Sequence, residues 1–325
     1  MTAVKKYLSL VKFAHTIFAL PFALIGFFLG VHSFIFPYST VPGWHTLIYP
    51  PGAPHFSYSS YADTNFYPYK FALVILCMIF ARSAAMAFNR YLDANFDAKN
   101  PRTAVREIPA GILKANSVLL FVVINCLLFI TCCFFINSIC FYLSPVALFV
   151  VLFYSYTKRF TALCHLVLGV GLSLAPIGAY LAVTGQFDPL PILFSFTVLF
   201  WVSGFDIIYA LQDEAFDKEQ NLHSIPAALG KKNALHVSEL LHLLSAACVV
   251  CAGVYGHFGN WYWIGVAIFC GLLIYQHLLV KPNDLSKVNI AFFTTNGIAS
   301  VLFAVFVIID LFVVRSGAWN LNSHP

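Results

Sequence analysis

Long apolar stretches decide what this chain can fold into. The segment FALVILCMIFARSAAMAF, residues 71–88, is typical of them. A bilayer span takes about 20 mostly apolar helical residues, because lipid offers the backbone no hydrogen-bond partners. Composition agrees, with 60% hydrophobic residues, 10% charged residues and a mean hydropathy of +0.83. We therefore expect an all-α integral membrane protein, a bundle of about nine transmembrane helices. The predicted spans are 13–31, 70–91, 117–137, 140–157, 163–184, 190–211, 236–256, 261–280 and 289–314.

The third and fourth spans are separated only by Asn137 and Ser138, so they could instead form one broken span. That alternative would reverse the orientation of every later helix. With nine spans and a cytoplasmic N-terminus, only Lys70 and Arg315 of the 18 Lys and Arg residues lie outside, as the positive-inside rule expects. We therefore expect nine spans in a bacterial inner membrane, with the polar loops in the cytoplasm.

Membrane topology also explains the net charge of +5. We find no Lys/Arg face and no zinc-finger spacing that would indicate a nucleic-acid partner. The N-terminal apolar run lacks a small-residue cleavage site, so we expect it to be kept as the first helix. The outer segment 32–69 is rich in Pro, Tyr and Phe, and we expect it at the level of the lipid headgroups.

Two acidic motifs stand at the ends of apolar spans. In NRYLDANFD, residues 89–97, Asn89, Asp93 and Asp97 share one face if the helix continues. In GFDIIYALQDEAFDKEQN, residues 204–221, one helical face carries Asp206, Tyr209, Asp213 and Asp217. Both motifs fall at cytoplasmic ends, and a polar loop with basic residues follows each. The chain therefore has two acidic faces that can oppose one another.

Carboxylates at this spacing repel each other unless a cation lies between them. Mg²⁺ prefers carboxylate oxygens and commonly completes its shell with phosphate oxygens and water. Single acidic residues at a membrane edge are usually solvated helix ends, but two matching faces beside basic loops favour a functional site. Two Asp pairs bridged by Mg²⁺ would hold a diphosphate.

The motifs Asn89-x3-Asp93-x3-Asp97 and Asp213-x3-Asp217 resemble the two signature motifs of the UbiA-type intramembrane prenyltransferases. The segment AFNRYLDANFDAKNPRTAVREIPAG, with Arg102, Thr103 and Arg106, is similar to the first cytoplasmic loop of that family. The pattern Tyr154-x3-Lys158-Arg159 resembles its basic turn after the fourth span, and Asp206 and Tyr209 match residues before its second motif. The similarity covers nearly the whole chain in span number and motif order.

The resemblance implies one transmembrane prenyltransferase domain over residues 1–325, with a central cavity open to lipid. It implies Mg²⁺-dependent transfer of a polyprenyl group from polyprenyl diphosphate to a small aromatic acceptor in quinone biosynthesis. The implied metal ligands and catalytic residues are Asp93, Asp97, Asp213 and Asp217. The implied substrate-binding residues are Asn89, Arg102, Arg106, Lys158, Arg159, Asp206 and Tyr209.

The acceptor is less well defined than the donor. The 4-hydroxybenzoate branch of the family carries an Arg-Pro pair near the cytoplasmic end of its first helix, whereas this chain has VKFAHT at residues 11–16. Lys12 or His15 could contact an acceptor carboxylate, although His15 could equally be hydrogen-bonded inside the bundle. The expected acceptor is a 4-hydroxybenzoate-type hydroxy acid, and a dihydroxynaphthoate for menaquinone is the alternative.

Two other classes are weighed against this interpretation. A cation- or proton-coupled transporter would carry its ionisable groups near the bilayer midplane on broken helices. Here only Glu239 and Asp310 within the predicted spans depart from the cytoplasmic clusters, and neither has an obvious basic partner. A CDP-alcohol phosphotransferase carries its acidic motif on consecutive helices, whereas these motifs are four spans apart.

Overall fold

The computed structural model describes residues 3–11, 18–35 and 66–314, and its secondary structure there is helical. The α-helices, numbered in chain order, are α1 (Ala3–Val11), α2 (Leu20–Ile35), α3 (Phe66–Leu92), α4 (Ala94–Lys99), α5 (Ala115–Ile136), α6 (Ser138–Thr157), α7 (Cys164–Thr184), α8 (Pro189–Ala210), α9 (Glu214–Glu219), α10 (Ile225–Tyr255), α11 (Asn260–Leu279) and α12 (Asn296–Ile309). Wider π-helical turns flank α12 at Ile290–Thr295 and Asp310–Val314.

The described residues contain eight helices that are long and apolar enough to cross a membrane, and α2 is a shorter apolar helix that contributes Leu20–Ser33. These nine helices fall at the nine predicted spans, so the expected all-α membrane bundle is confirmed. Many large apolar side chains point outward, among them Leu127, Phe149 and Leu278. Such surfaces are stable against lipid tails, which are as apolar as Leu.

The third and fourth predicted spans are separate helices. Asn137 is extended, with φ −172° and ψ 168°, and so ends α5 before α6 begins. Its side-chain oxygen accepts the Cys140 N–H at 2.8 Å, and its Nδ2 donates to the Leu181 carbonyl oxygen at 2.8 Å. The chain turns back within one residue because this amide satisfies backbone groups of two helices.

The prediction for the seventh span began too late. A helix starts at Ile225 rather than near residue 236, with Ser224 as its N-cap and Pro226 in its first turn. Gly230 has φ +75°, which breaks the helical path there. Because Gly alone adopts this conformation without strain, the segment turns near the motif end before the long apolar part begins.

Helix α8 lies between α7 and α10 and packs closely against both. A Cβ atom at Gly169 of α7 would lie 2.5 Å from the Leu199 carbonyl oxygen, and one at Gly204 of α8 would lie 2.4 Å from the His242 ring. Small residues at these crossings let the backbones approach, which is how membrane helices gain packing energy. The close packing fixes the height and rotation of α8, and so of the second acidic motif.

The end of the bundle that lacks the acidic motifs has its own buried charges. Lys70 Nζ donates to the Ala182 carbonyl oxygen at 2.7 Å, at the C-terminus of α7. Asp310 is fully buried and accepts the backbone N–H groups of Gly259 and Tyr262 at the start of α11. Both charges match the helix dipole that they face. Asp310 therefore caps a helix.

Candidate active site

The first aspartate of each acidic motif adopts a similar backbone conformation. We expected the helix to continue unbroken through the first motif, but Asp93 has φ −89° and ψ 4° and separates α3 from α4. Asp213 has φ −102° and ψ 3° and ends a short 3-10 turn, Leu211–Asp213, between α8 and α9. The hydrogen bonds from Asp93 N to Asn89 O and from Asp97 N to Asp93 O are kept. The acidic residues therefore still share a face, while each first aspartate has a locally loosened backbone.

Each of the four aspartates forms an ion pair with one of the four predicted cations. The pairs are Asp93 with Arg159 at 3.3 Å, Asp97 with Arg106 at 2.5 Å, Asp213 with Arg102 at 2.5 Å and Asp217 with Lys158 at 2.7 Å. The formal charges of these eight groups cancel. This pairing answers how an apolar chain can hold four carboxylates close together at a helix end.

The ion pairs connect segments that are far apart in the sequence. Arg102, which follows the first motif, reaches the second through Asp213 and also donates to the Tyr209 hydroxyl at 3.1 Å. Lys158 and Arg159 are neighbours after α6, yet they pair with Asp217 and Asp93 respectively. Two loops therefore join both motifs into one site.

Polar neighbours fix the carboxylates further. Asn89 Nδ2 donates to Asp93 Oδ2 at 3.0 Å, and Ser224 Oγ donates to Asp217 Oδ2 at 2.8 Å. Asn100, which the sequence did not single out, donates to Asp213 Oδ1 at 3.2 Å. An asparagine in the loop after a motif carries no sequence signal that distinguishes a residue of the site from a solvated loop residue.

Burial and neighbouring charges shift the ionisation of the site. Burial, together with the charge of Asp97, raises the pKa of Asp93 to about 6, although the nearby cations oppose the shift. For Arg102 and Lys158 burial alone would lower the pKa, but their partners Asp213 and Asp217 outweigh it and raise the pKa of both. The two cations therefore stay charged, and Asp93 is protonated more readily than an ordinary aspartate.

The site opens into a cavity of about 680 Å³. Every predicted site residue within the described part of the chain lines it. His15 lies outside the described residues, as do Lys12 and most of the outer segment 32–69. From the motifs the cavity runs between the helices to apolar side chains near the other end, such as Ile136, Leu181 and Phe187. Charge is therefore concentrated at one end of a largely apolar space.

The donor atoms of the site suit a hard cation. The motifs supply carboxylate oxygens, which Mg²⁺ prefers. Asp97 Oδ2 is buried and has no hydrogen-bond partner among the described residues, so one ligand atom is unsatisfied. Within the described ranges no three acidic, His or Cys side chains converge on one point, because each aspartate faces its own basic partner. The residues fit Mg²⁺ provided that the basic partners move away.

Two further groups on the cavity wall were not predicted correctly from the sequence: Arg82 was placed elsewhere, and His165 was not singled out. We counted Arg82 with the cytoplasmic basic residues, but it lies ten residues before the end of α3, about 15 Å along the helix. Its Nε is buried and has no hydrogen-bond partner among the described residues. His165, at the start of α7, pairs with Asp206 at 2.6 Å. A charge count by span cannot distinguish a residue in a cavity from one at the surface.

The two acidic residues that the transporter alternative needs are elsewhere. Glu239 is exposed and pairs with His236 at 3.0 Å on α10, and Asp310 caps α11. Neither residue lines the cavity. The described residues therefore offer no row of carboxylates through the bundle.

Comparison with known proteins gives a consistent result. The model of the UbiA prenyltransferase family matches residues 52–298. The 4-hydroxybenzoate octaprenyltransferase of Nitrosomonas europaea is 31% identical over 245 residues, which cover 75% of this chain and 84% of that protein. The protein of the same description from Nitrosospira multiformis is 30% identical, with 73% of this chain and 81% of that protein covered.

Solved structures share the fold. The apo structure of a UbiA homologue from Aeropyrum pernix K1 matches with a TM-score of 0.74 and 25% identity, and the match covers 92% of this chain and 98% of that one. A UbiA homologue from Archaeoglobus fulgidus bound to GPP and Mg²⁺ matches with a TM-score of 0.66 and 18% identity over 95% of this chain and 100% of that one. The helices of this chain are therefore arranged as in proteins of known structure.

Proposed function

Because the chain belongs to the UbiA prenyltransferase family and is a polyprenyltransferase, we propose that it transfers a polyprenyl group from polyprenyl diphosphate to 4-hydroxybenzoate in a Mg²⁺-dependent reaction. The observation that carries the proposal is the set of four carboxylates, each paired with its own cation, at the polar end of one apolar cavity. The Nitrosomonas and Nitrosospira relatives are described as 4-hydroxybenzoate octaprenyltransferases, which supports this acceptor.

Asp93, Asp97, Asp213 and Asp217 are the residues that would hold Mg²⁺. Bound there, the metal would offset negative charge on the diphosphate and so ease its departure. The four basic partners would leave the carboxylates and donate to phosphate oxygens. Arginine suits this exchange because its planar fork matches carboxylate and phosphate equally well. The ion pairs of the free protein therefore keep four diphosphate-binding groups in place before substrate arrives.

The cavity wall protects the reactive end of the prenyl chain. Near the motifs it carries aromatic rings, with Tyr209 stacked on Phe292 at 4.2 Å between ring centroids. Beyond them the wall is mostly aliphatic, and the prenyl tail would lie along it. An allylic cation in this space meets π faces rather than water, which limits its loss by hydrolysis.

Arg82 is the group that supports an acidic acceptor. It lines the cavity about 16 Å along the helix from Asp93, and it forms no ion pair with any described residue. An arginine at membrane depth is costly, so such residues usually bind a partner. A bidentate bond to the carboxylate of 4-hydroxybenzoate would satisfy it and turn the hydroxyl end of the ring toward the diphosphate.

The test is product analysis with protein purified into nanodiscs, given Mg²⁺, polyprenyl diphosphate and one of three acceptors. These are 4-hydroxybenzoate, 1,4-dihydroxy-2-naphthoate and the uncharged 4-hydroxybenzamide. We expect prenylated 4-hydroxybenzoate as the main product. A charge-assisted hydrogen bond contributes about 1.5–3 kcal/mol, so Arg82→Gln should lower kcat/KM for the acid about 10- to 150-fold. It should change kcat/KM for the amide much less.

The acceptors separate the alternatives. Preference for the naphthoate would place the protein in menaquinone synthesis while leaving the role of Arg82 intact. A parent protein that prenylates neither acid would refute the proposed function. We place the reaction at the cytoplasmic side of a bacterial inner membrane, within one domain over residues 1–325. The charge distribution of the sequence supports that side.

A further inference from the structure

His165 and Asp206 form a buried pair beside the four ion pairs. His165 is 3% exposed, and its Nδ1 lies 2.6 Å from Asp206 Oδ2. The side chain of Asp206 is 24% exposed and lines the cavity. The pair joins α7 to α8 about two helical turns from the second motif, since Asp206 precedes Asp213 by seven residues, or about 10 Å.

The hydrogen bonds define which nitrogen of His165 carries the proton. The backbone N–H of Ile225 donates to His165 Nε2 at 3.4 Å, so Nε2 is an acceptor. Nδ1 must then carry the hydrogen and donate it to Asp206 Oδ2. The other oxygen of Asp206, Oδ1, forms no hydrogen bond with any described residue. Asp206 therefore presents a free acceptor oxygen on the cavity wall.

His165 is held by the same turn that holds a predicted metal ligand. Ile225 opens α10, and the preceding Ser224 donates to Asp217 Oδ2 at 2.8 Å. The imidazole is thus fixed on both sides, by a backbone N–H and by a carboxylate. A histidine with both ring nitrogens engaged in this way orients its neighbour.

Asp206 also lies at the depth in the cavity that the hydroxyl end of an acceptor would reach. Arg82, Asp93 and Asp206 all line the same cavity. Measured along the helices, Arg82 lies about 16 Å from the first motif and Asp206 about 10 Å from the second. An acceptor with its carboxylate on Arg82 would bring its hydroxyl end about one helical turn nearer the diphosphate, close to Asp206.

We propose that Asp206 accepts the proton displaced from the acceptor ring and that His165 is the positioning residue that aims it. The inference rests on the proposed function. The ring carbon next to the hydroxyl forms a bond to the allylic carbon as the bond to diphosphate breaks, with the electron pair leaving on diphosphate. That ring carbon then loses its proton to Asp206 Oδ1, and the electrons of the C–H bond restore the aromatic ring. The protonated carboxyl gives its proton to water, so atoms and charges balance.

The experiment compares kcat for 4-hydroxybenzoate with kcat for the same acid deuterated at both ring positions next to the hydroxyl. In the parent protein, proton loss from the ring is fast and the ratio of the two rates should be near unity. Asp206→Asn keeps the hydrogen bond from His165 but cannot take the proton. General-base removal typically costs 10²- to 10⁴-fold, so kcat should fall about 10²-fold or more and the isotope ratio should rise well above unity.

The His165 variants test positioning. In His165→Asn the side-chain amide can donate from nearly the place of Nδ1, so turnover and an isotope ratio near unity should be largely kept. His165→Ala removes the hydrogen bond that orients Asp206, so it should raise the isotope ratio as well as lower kcat. Asp188→Asn is the matched control on the same helix. Asp188 caps the far end of α8 by accepting the Leu190 N–H at 2.8 Å, and it does not line the cavity.

The outcomes separate this inference from the function on which it rests. If the parent makes product while Asp206→Asn keeps an isotope ratio of unity, Asp206 does not take the proton and the inference is overturned alone. The inference is also overturned if Asp206→Asn keeps full turnover. If the parent prenylates no phenolic acid, the proposed function fails and this inference fails with it. Binding of Mg²⁺ with a non-hydrolysable prenyl diphosphate should be unchanged in all four variants, which shows that they are folded.

Discussion

Replacing Arg106 by Gln should change the affinities for Mg²⁺ and diphosphate in opposite directions. Arg106 Nη1 lies 2.5 Å from Asp97 Oδ1, and the second oxygen of Asp97 is buried without a hydrogen-bond partner among the described residues. In the free protein Arg106 competes with the metal for Asp97, whereas in the substrate complex it would bind the diphosphate. Removing Arg106 should therefore strengthen the binding of Mg²⁺ and weaken the binding of diphosphate.

The structure bounds the size of both effects. Side-chain exposure is 21% for Arg106 and 8% for Asp97, so the pair is neither fully exposed nor fully buried. Exposed pairs contribute about 0.2–1 kcal/mol, and hydrogen bonds to charged groups about 1.5–3 kcal/mol, so we take about 1–2 kcal/mol. Mg²⁺ should then bind about 5- to 30-fold more tightly to Arg106→Gln. The loss of one charge-assisted bond should weaken diphosphate binding about 10- to 150-fold.

Isothermal titration calorimetry in nanodiscs measures both quantities. Mg²⁺ is titrated alone, and then farnesyl thiodiphosphate, which cannot ionise readily, is titrated at saturating Mg²⁺. Lys99→Gln is the matched control because it removes the same charge from the same segment. Within the described part of the chain Lys99 Nζ donates only to Gln220 Oε1, at 3.2 Å, so neither affinity should change more than about twofold. Weaker Mg²⁺ binding by Arg106→Gln would mean that Arg106 shapes the metal site, and the exchange of partners would be refuted.

Three other predictions follow from the same geometry. An Asn substitution at any one of the four motif aspartates should lower turnover about 10²-fold or more with helix content by circular dichroism unchanged, and a chelator should abolish the parent's activity until Mg²⁺ is restored. Cysteine labels in 98–116, 158–162 and 218–232 should react from one membrane face and labels in 40–65 from the other; opposite sidedness of the two motif loops would exclude a shared site. Gly204→Ala should lower thermal stability by about 1–3 kcal/mol, because its Cβ would meet the His242 ring at 2.4 Å, and an unchanged melting temperature would show that α10 shifts freely.

The sequence was sufficient for the helices and for the acidic motifs, because both depend on local patterns. A span is recognised by its apolar length, and the distribution of Lys and Arg favoured two spans on either side of Asn137 over one broken span. The spacing of the aspartates fixed their common face even though Asp93 interrupts the helix. Boundaries were harder: the start of α10 at Ile225 was missed because Lys231 and Lys232 make that part polar, and Gly230 bends it.

The partners of the charges could not be predicted. Nothing in the sequence around Arg102 indicates that it reaches Asp213, 111 positions away, rather than Asp97 nearby. The same limit applies to the contact between His165 and Asp206. Such pairs depend on how helices far apart in the chain cross. Those crossings depend in turn on close contacts such as the one between Gly204 and His242, for which spacing gives no signal.

The pairing pattern also explains why binding groups can be kept in a membrane protein before substrate arrives. Four unpaired cations and four unpaired carboxylates at the end of an apolar cavity would be costly to desolvate, and mutual pairing offsets most of that cost. Since Arg102 pairs with the second motif and Arg159 with the first, the pairs also hold the two halves of the bundle together. Substrate and metal must break these connections to bind, and they replace them with bonds through the diphosphate. A ligand that supplied only the anion or only the metal would free one set of charges and leave the other unpaired, so each should bind better in the presence of the other.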